Sequence, residues 1–492
     1  MINFKCDSIK HQQLFDRAVE GLHKNRRQFI PGIGPVLIEG GEYPGVWMEC
    51  APLEGMVFAP FDMEIAKNNH RVFYRFQKED GQFPSSLSLE RINYAQIQQT
   101  VPIIETAEKL ALRSNDEEFF IQSYDAWAKW DQWLVTHRDT KKRNLCEAFC
   151  EYDTGHDNSY RFKGLPKFCP NKDAAICPDY PALPYAAPDL SATLYGGRMA
   201  MARIARKLGR AVDEEKYMEL ADLTKKAIFE YCYDDELEFF FDRTAEGNLI
   251  KCVSDTGLRV LMEHVVDQPL FDRIYERYII NPEVFWTDYP IPSIAANSIG
   301  FVNPPPNNCW GGASQGLLAL RAPLYLEHYG KYDTLNDLMR CWVDCMMQCP
   351  EFMQQMDPFT GEFSTSPGYS PSMCCAISFM SKMIGIQETE DELSWGCNIL
   401  PEAGNSSFKL ALCQVGEAEI EQRQGESILT LCGKELARVK GKVKLFTDKR
   451  GKLLRFAADD KCASIHMSAQ EQHISLNTKL GHFTSTNQVL KV

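Results

Sequence analysis

The sequence predicts a mainly α-helical protein, a ring of antiparallel helix pairs followed by a small antiparallel β domain. Three observations lead there. Apolar residues recur at helical spacing up to about residue 386. Long stretches rich in Pro, Gly, Asn and aromatics separate the helix pairs. After Ile386 the chain changes to short alternating segments between turn signals. The expected division is a helical domain over residues 1–388 and a β domain over 389–492.

Taken in order, helices are expected near 9–27, 55–78 and 92–113. The next runs through Phe120, Tyr124, Trp127, Asp131 and Leu134, apolar apart from the aspartate. Others follow near 189–209, through Tyr217, Leu220, Ala221, Thr224, Ile228 and Tyr231, and near 254–264 and 311–329. The last two run through Leu335, Leu338, Met339, Trp342 and Met346, and near 371–385. Short links at 113–117 and 330–333 join helices within a pair, whereas 29–52, 140–188, 280–310 and 350–370 lie between pairs. In a ring of hairpins the connections at one end face a common cavity, and long loops in compact domains are usually functional. Beyond residue 390, segments such as 407–415, 418–424 and 427–432 read as strands that cover the ring.

Composition narrows the function. Of 492 residues, 44% are hydrophobic and 24% charged, which excludes a largely disordered chain. Apolar runs are far shorter than the ~20 residues a membrane helix needs. The net charge of -14 argues against nucleic acid and anionic membranes as partners, since both require a basic footprint. The N-terminus carries no apolar signal core, so a cytoplasmic location is expected, with the 18 cysteines reduced and mostly buried. No cysteine pair has CxxC spacing, and the histidines form no HxH or HExxH pattern. No metal or cofactor is expected.

Four segments combine aromatics with carboxylates or amides, all in the long stretches. The first, Glu151–Phe162, holds Asp153, His156, Asp157, Asn158, Tyr160 and Arg161. Trp47 and Glu49 stand just before a helix; Asn307–Gly316 contains Trp310; and Glu351–Glu362 contains Gln354, Asp357 and Glu362. Flat apolar faces beside hydrogen-bonding groups suit sugars, whose rings have an apolar face and a polar edge. A small carbohydrate is the expected partner.

These segments carry a resemblance. Gly155-His156-Asp157-Asn158-Ser159-Tyr160-Arg161 resembles the G-x-D-N-S-P-R segment of the six-hairpin, (α/α)6-barrel glycosidases, closest to glycoside hydrolase families 37 and 63: trehalases, processing α-glucosidases and mannosylglycerate hydrolases. Ala187-Pro188-Asp189-Leu190-Ser191-Ala192 is similar to their P-D-L-N-A, Trp310-Gly311-Gly312 to their W-R-G-P, and Asp357-Pro358-Phe359-Thr360-Gly361-Glu362 to their Y-(D/N)-P-x-T-G-E. The likeness covers roughly residues 40–386 and implies an (α/α)6 barrel with glycosidase activity. The chain departs from the pattern at the catalytic base, where the relatives have glutamate and this chain has Gln354; an amide does not take a proton from water. Trp47-Met48-Glu49 replaces their W-D, and Gly368-Tyr369-Ser370-Pro371 their F-x-W-S.

Inverting hydrolysis needs one protonated carboxyl for the leaving oxygen and one carboxylate for water, ~6.5–9.5 Å apart. By resemblance Asp157 is the acid. Glu362 leads for the base, because it shares the loop of the missing glutamate; Glu49 is second and Asp357 third. Gln354 orients the water or binds a hydroxyl, Trp47 and Trp310 stack on sugar rings, and Asn158, Arg161 and Asp189 form a polar wall. The alternatives are a carbohydrate-binding protein that lost its base, and a sugar epimerase or lyase with His156 and Tyr160 as proton carriers. A small imported glycoside or short oligosaccharide is the expected substrate, rather than a polymer.

Overall fold

The computed structural model describes residues 1–28, 31–304, 310–398, 400–414, 416–458 and 463–468, together with the strands Gln472–Ser475 and Leu480–Ser485. Asn307–Cys309, at the head of the third segment, lie outside the described residues.

Twelve α-helices are found among the described residues: α1 (Ile9–Lys24), α2 (Ala51–Phe58), α3 (Met63–Arg75), α4 (Ile103–Ser114), α5 (Glu117–His137), α6 (Pro188–Lys207), α7 (Ala211–Cys232), α8 (Asp255–Met262), α9 (Gln268–Ile274), α10 (Gly316–Leu326), α11 (Tyr332–Gln348) and α12 (Ser370–Ile384). The even-numbered helices touch in chain order, and α12 touches α2, so these six close a ring. Their sequences account for the inner position. All eight residues of α8 are buried, as are all of α12 except Lys382, so neither presents a polar face to water. Helix α7, by contrast, buries only Tyr217, Ala221, Thr224, Ala227, Ile228 and Cys232 along one stripe, and it packs outside α6.

Four of the six outer helices, α1, α3, α5 and α9, start on side-chain caps: Ser8, Asp62, Asp116 and Asp267 accept the N–H of His11, Ile65, Phe119 and Leu270. Inner helices lack such caps, and α2, α6, α10 and α12 open directly from the four long stretches. Glu49 stands two residues before α2, Asp189 and Asp255 lie in the first turns of α6 and α8, and Tyr369 precedes α12. One end of the ring thus gathers helix N-termini, whose partial positive charge favours carboxylates.

Three expectations change. The helix expected over 55–78 is two, α2 and α3, because the chain turns at Pro60 and restarts on the Asp62 cap. The segment 92–102 is extended rather than helical and carries Gln98, Gln99 and Thr100 inward; Pro102 sets the start of α4. Helix α9 is absent from the sequence-based reading: its Leu270, Phe271 and Ile274 make too short a periodic run.

The β part has two antiparallel sheets. The larger one runs in the order Ile2–Cys6, Ser406–Ala411, Glu417–Arg423, Glu426–Leu431, Lys434–Lys440, Ser464–Met467, Gln472–Ser475. The smaller runs Ile386–Glu388, Glu392–Cys397, Val443–Asp448, Leu453–Ala458, Leu480–Ser485. The first residues of the chain therefore complete a sheet that the sequence placed wholly after residue 389, with Phe4 opposite Phe408. Helix α12 lies against Glu392–Cys397. Gly396 permits that approach, since a Cβ there would sit 2.4 Å from the Lys382 carbonyl oxygen.

Candidate active site

The stretch from 145 to 162 is held from below by Asp153. This fully buried carboxylate takes both Nη1 (2.5 Å) and Nη2 (3.0 Å) of Arg138 and the N–H groups of Ile97, Phe149 and Cys150. Glu151 Oε1 accepts the N–H of Asn158, and the backbone turns through positive φ at Gly155 (65°) and Asn158 (64°). Asp157 stands between them, half-buried, and its carbonyl accepts the Trp310 N–H at 3.0 Å. Its charge helps raise the phenols of Tyr43 and Tyr152, after the larger effect of burial.

Glu49 lies against this turn. A Cβ on Gly155 would fall 2.1 Å from Glu49 Oε2, so the position requires glycine for space as well as for φ. Glu49 accepts Gln98 Nε2 at 2.7 Å, and its carbonyl accepts Arg321 Nη2 at 2.9 Å. Burial raises its pKa, and the nearby Arg321 and Arg259 guanidinium groups offset part of that rise. Two further carboxyls are buried alongside. Glu39 is pushed well up by burial and by the charges of Glu54 and Glu49, and Glu54, fully buried, is raised to about 8 by burial.

Above them stands an aromatic wall. Tyr43 meets Trp47 and Tyr369 edge-on, with ring centroids 5.7 and 6.1 Å apart. Trp47 is partly exposed. The Tyr43 hydroxyl donates to Gln354 Oε1 at 3.4 Å, and Thr365 Oγ1 donates to the same oxygen at 3.3 Å.

Behind the wall is a buried ion network. Arg161 forks onto Asp189 (2.7 and 3.0 Å) and Asp242 (2.7 and 2.5 Å), and its Nη1 lies 2.8 Å from His156 Nδ1. His156 Nε2 sits 2.7 Å from Asp255, which also takes Arg259 Nε at 2.9 Å. With Nδ1 facing a guanidinium, the proton belongs on Nε2, towards Asp255. Burial, together with Arg259, brings His156 down to about 4, so it is neutral at pH 7.

This placement corrects several expectations. Arg161 and Asp189 do not form a sugar-binding wall, because the fork between Asp189 and Asp242 saturates both. Trp310 does not offer a stacking face; it is 3% exposed and packs on His156 and Arg259. His156 is 1% exposed, with Nδ1 on Arg161 and Nε2 beside Asp255, which argues against it as the proton carrier of an epimerase or lyase. Glu362 is exposed on a hairpin turn, outside the buried carboxyl group. Asp357 holds that turn by accepting the N–H groups of Phe359 and Thr360. Asn158 is exposed, with its backbone fixed by Glu151. The structure does gather Asp157, Glu49, Trp47 and Gln354 at the same end of the ring. Sequence reasoning singled out none of Glu39, Tyr43, Glu54, Asp242, Asp255, Arg259 and Arg321; Glu39 and Tyr43 carried a signal by lying in a long stretch with Trp47, and Glu54 by closing the segment that holds Trp47 and Glu49.

Among the described residues, Cys150, Asp153 and Cys169 are close enough to share a metal ion. Arg138 already occupies both Asp153 oxygens and approaches Cys169 Sγ at 3.6 Å, so a guanidinium stands where a cation would have to go.

A family model described as the mannosylglycerate hydrolase MGH1-like glycoside hydrolase domain matches residues 43–372. Among solved structures, a family 63 mannosylglycerate hydrolase from Thermus thermophilus, in complex with glucose, is 18% identical with a TM-score of 0.61, over 75% of this chain and 99% of its own. The neutral trehalase from Saccharomyces cerevisiae is 14% identical with a TM-score of 0.56, over 75% of this chain and 79% of that one. A family 78 rhamnosidase from Bacillus sp. GL1 is 12% identical with a TM-score of 0.60, over 87% of this chain and 41% of that one. That share exceeds what residues 1–388 contain, so the likeness runs on into the β part. At these identities the likeness is one of fold. No curated protein matches the sequence.

Proposed function

We propose a mechanism from the premise that the chain belongs to the mannosylglycerate hydrolase MGH1-like glycoside hydrolase family and is a glycosidase. On this reading the six inner helices form an (α/α)6 barrel. The enzyme hydrolyses a small glycoside with inversion, using Asp157 as general acid and Glu49 as general base. One observation carries the choice of base: the Glu49 carboxylate packs against Gly155, two residues before Asp157. Two residues of chain span at most about 7 Å between Cα atoms, so the Glu49 carboxylate and Asp157 share one neighbourhood at the mouth of the ring; the reading requires a carboxyl separation of ~6.5–9.5 Å.

The surroundings fit these roles. Burial raises the Glu49 pKa, while Arg321 and Arg259 favour its ionised form, the form a general base must have. Gln354, anchored on Tyr43 and Thr365, positions a hydroxyl or the attacking water without taking its proton. Trp47 supplies the apolar face.

The test uses mannosylglycerate, for which the Thermus relative is named, trehalose, and a panel of aryl glycosides. Asp157→Asn is expected to abolish hydrolysis of unactivated glycosides and to spare those with acidic phenol leaving groups, which need less protonation. Glu49→Gln is expected to lower kcat by several orders of magnitude, with azide restoring part of it on an activated substrate. Proton NMR of the first-formed product should show the inverted anomer. Wild-type rates for Glu49→Gln would remove it as the base. Binding of sugar without release of any product from wild type would favour a carbohydrate-binding role, which the loss of glutamate at Gln354 also fits.

A further inference from the structure

A general acid fixes which part of a substrate lies beside it. It delivers its proton to the oxygen of the departing group, so the surface around Asp157 faces the aglycone, whereas Glu49 acts on water at the opposite face of the sugar ring.

Backbone contacts tie two flanking loops to Asp157. Its carbonyl accepts the Trp310 N–H at 3.0 Å, and Gly311, the next residue, accepts the Val302 N–H at 2.9 Å. Gly300 closes against the same turn: a Cβ there would fall 2.2 Å from the Cβ of Tyr160, three residues after Asp157. Phe301, between them, meets Phe359 edge-on with ring centroids 6.0 Å apart. The hairpin that carries Phe359 is held by the Tyr289 N–H on the Pro358 carbonyl at 3.0 Å. On the other flank Tyr152, whose N–H bonds the Lys167 carbonyl at 3.3 Å, meets Phe168 edge-on at 4.8 Å. Tyr152 is near enough to Asp157 for that charge to help raise its phenol.

Both flanks are apolar and open to solvent. Phe168 is 40% exposed, Ile299 56%, Val302 41% and Phe359 39%. Scattered singly such side chains need no explanation, but paired rings and aliphatic groups gathered around a catalytic acid mark a binding surface. A sugar in the departing position would need hydrogen-bonding groups in their place. The nearby ammonium groups of Lys163 and Lys167 lie over the Tyr160 and Tyr152 rings at 5.5 and 5.6 Å, so a carboxylate-bearing aglycone is the competing occupant.

Resting on the assignment of Asp157 as general acid, we propose that the natural substrate carries an apolar aglycone, which lies between the Tyr152–Phe168 and Phe301–Phe359 ring pairs with Ile299 and Val302 at its edge.

Alkyl glycosides separate apolar contact from leaving-group chemistry, because methanol, hexanol and octanol differ little in acidity. The test measures kcat/KM on methyl, hexyl and octyl glucosides and mannosides of both anomers, below their micellar concentrations. In the series that wild type cleaves, kcat/KM is expected to rise about tenfold or more from methyl to octyl. Phe168→Ser combined with Phe359→Ser should cut the octyl-to-methyl ratio at least threefold; a loss of rate common to both substrates cancels in that ratio. Val212→Ser, 82% exposed on the outer helix α7, should leave the ratio as in wild type. Equal kcat/KM for methyl and octyl glycosides overturns the proposal and leaves hydrolysis by Asp157 standing. So does an unaltered ratio in the folded double variant, or faster cleavage of mannosylglycerate than of octyl mannoside of the same anomer. If wild type cleaves none of the series, the hydrolytic reading fails, and calorimetry decides the surface by itself. Tighter binding of octyl than of methyl glycoside, lost in the double variant, supports an apolar-glycoside site; equal binding, or none, overturns it.

Discussion

Glu54 offers a direct test of the buried carboxyl group beneath the candidate site. It is 0% exposed on α2, one turn after Glu49, and neither oxygen accepts a hydrogen bond of ordinary geometry. Burial raises its pKa from 4.5 to about 8, only slightly opposed by the Cys50 thiol. Between those two values the native state holds a proton that the unfolded chain has released, so raising the pH favours unfolding. Glu54 therefore contributes stability that is complete below about pH 4.5 and lost as pH rises towards about 8. The slope is at most about 1.4 kcal/mol per pH unit, several kcal/mol over the window. Glu54→Gln keeps the shape and removes the titration. Urea unfolding of both proteins at pH 5, 6, 7 and 8 should show the variant gaining on wild type with each step, and closest to it, or slightly below it, at pH 5. Parallel stability profiles would refute the reasoning and mean that Glu54 is ionised or solvated in the native state.

Other outcomes follow from the same packing. Arg161→Leu leaves Asp189 and Asp242 buried without their common partner; the expected loss is about 3–5 kcal/mol in denaturant unfolding, with partial recovery in Arg161→Lys. A change in KM without loss of stability would restore the sugar-wall reading. Gly155→Ala forces a Cβ onto Glu49 at positive φ and should lower kcat by about tenfold to a hundredfold while the protein stays folded. Unaltered turnover would show that Glu49 does not depend on this turn. Glu362→Gln, on an exposed turn, should change kcat/KM by less than about threefold. A loss of several orders of magnitude would return Glu362 to the role of base.

Much of the architecture was legible because the signals are local. Helical periodicity placed α5, α7 and α11 within a few residues, since each has a long stripe of apolar positions to count. It failed for α9, seven residues long, and for α2 and α3, where a Pro60 turn and an Asp62 cap interrupt one continuous apolar rhythm. The strand Ile2–Cys6 escaped notice because its partner, Ser406–Ala411, lies some 400 residues away. The motif around Asp157 was likewise a contiguous string, and the structure does bring it beside Trp47 and Gln354.

What the sequence by itself determined is the alternation of helices with long stretches, the late change to strands, and the segments from which a site is built. Those features depend on neighbours within a turn or a pleat. Only the tertiary structure decided which charged groups are available. Arg161 and Asp189 carry the same letters whether they face a sugar or each other, and the arrival of Asp242 from another hairpin binds them into the interior. Glu362 and Glu49 are indistinguishable as residues, but one lies on an exposed turn and the other is buried against Gly155. Burial and ion pairing are sums over groups distant in the chain, and they set whether a carboxyl is a solvated turn residue, a fixed counter-ion or a base.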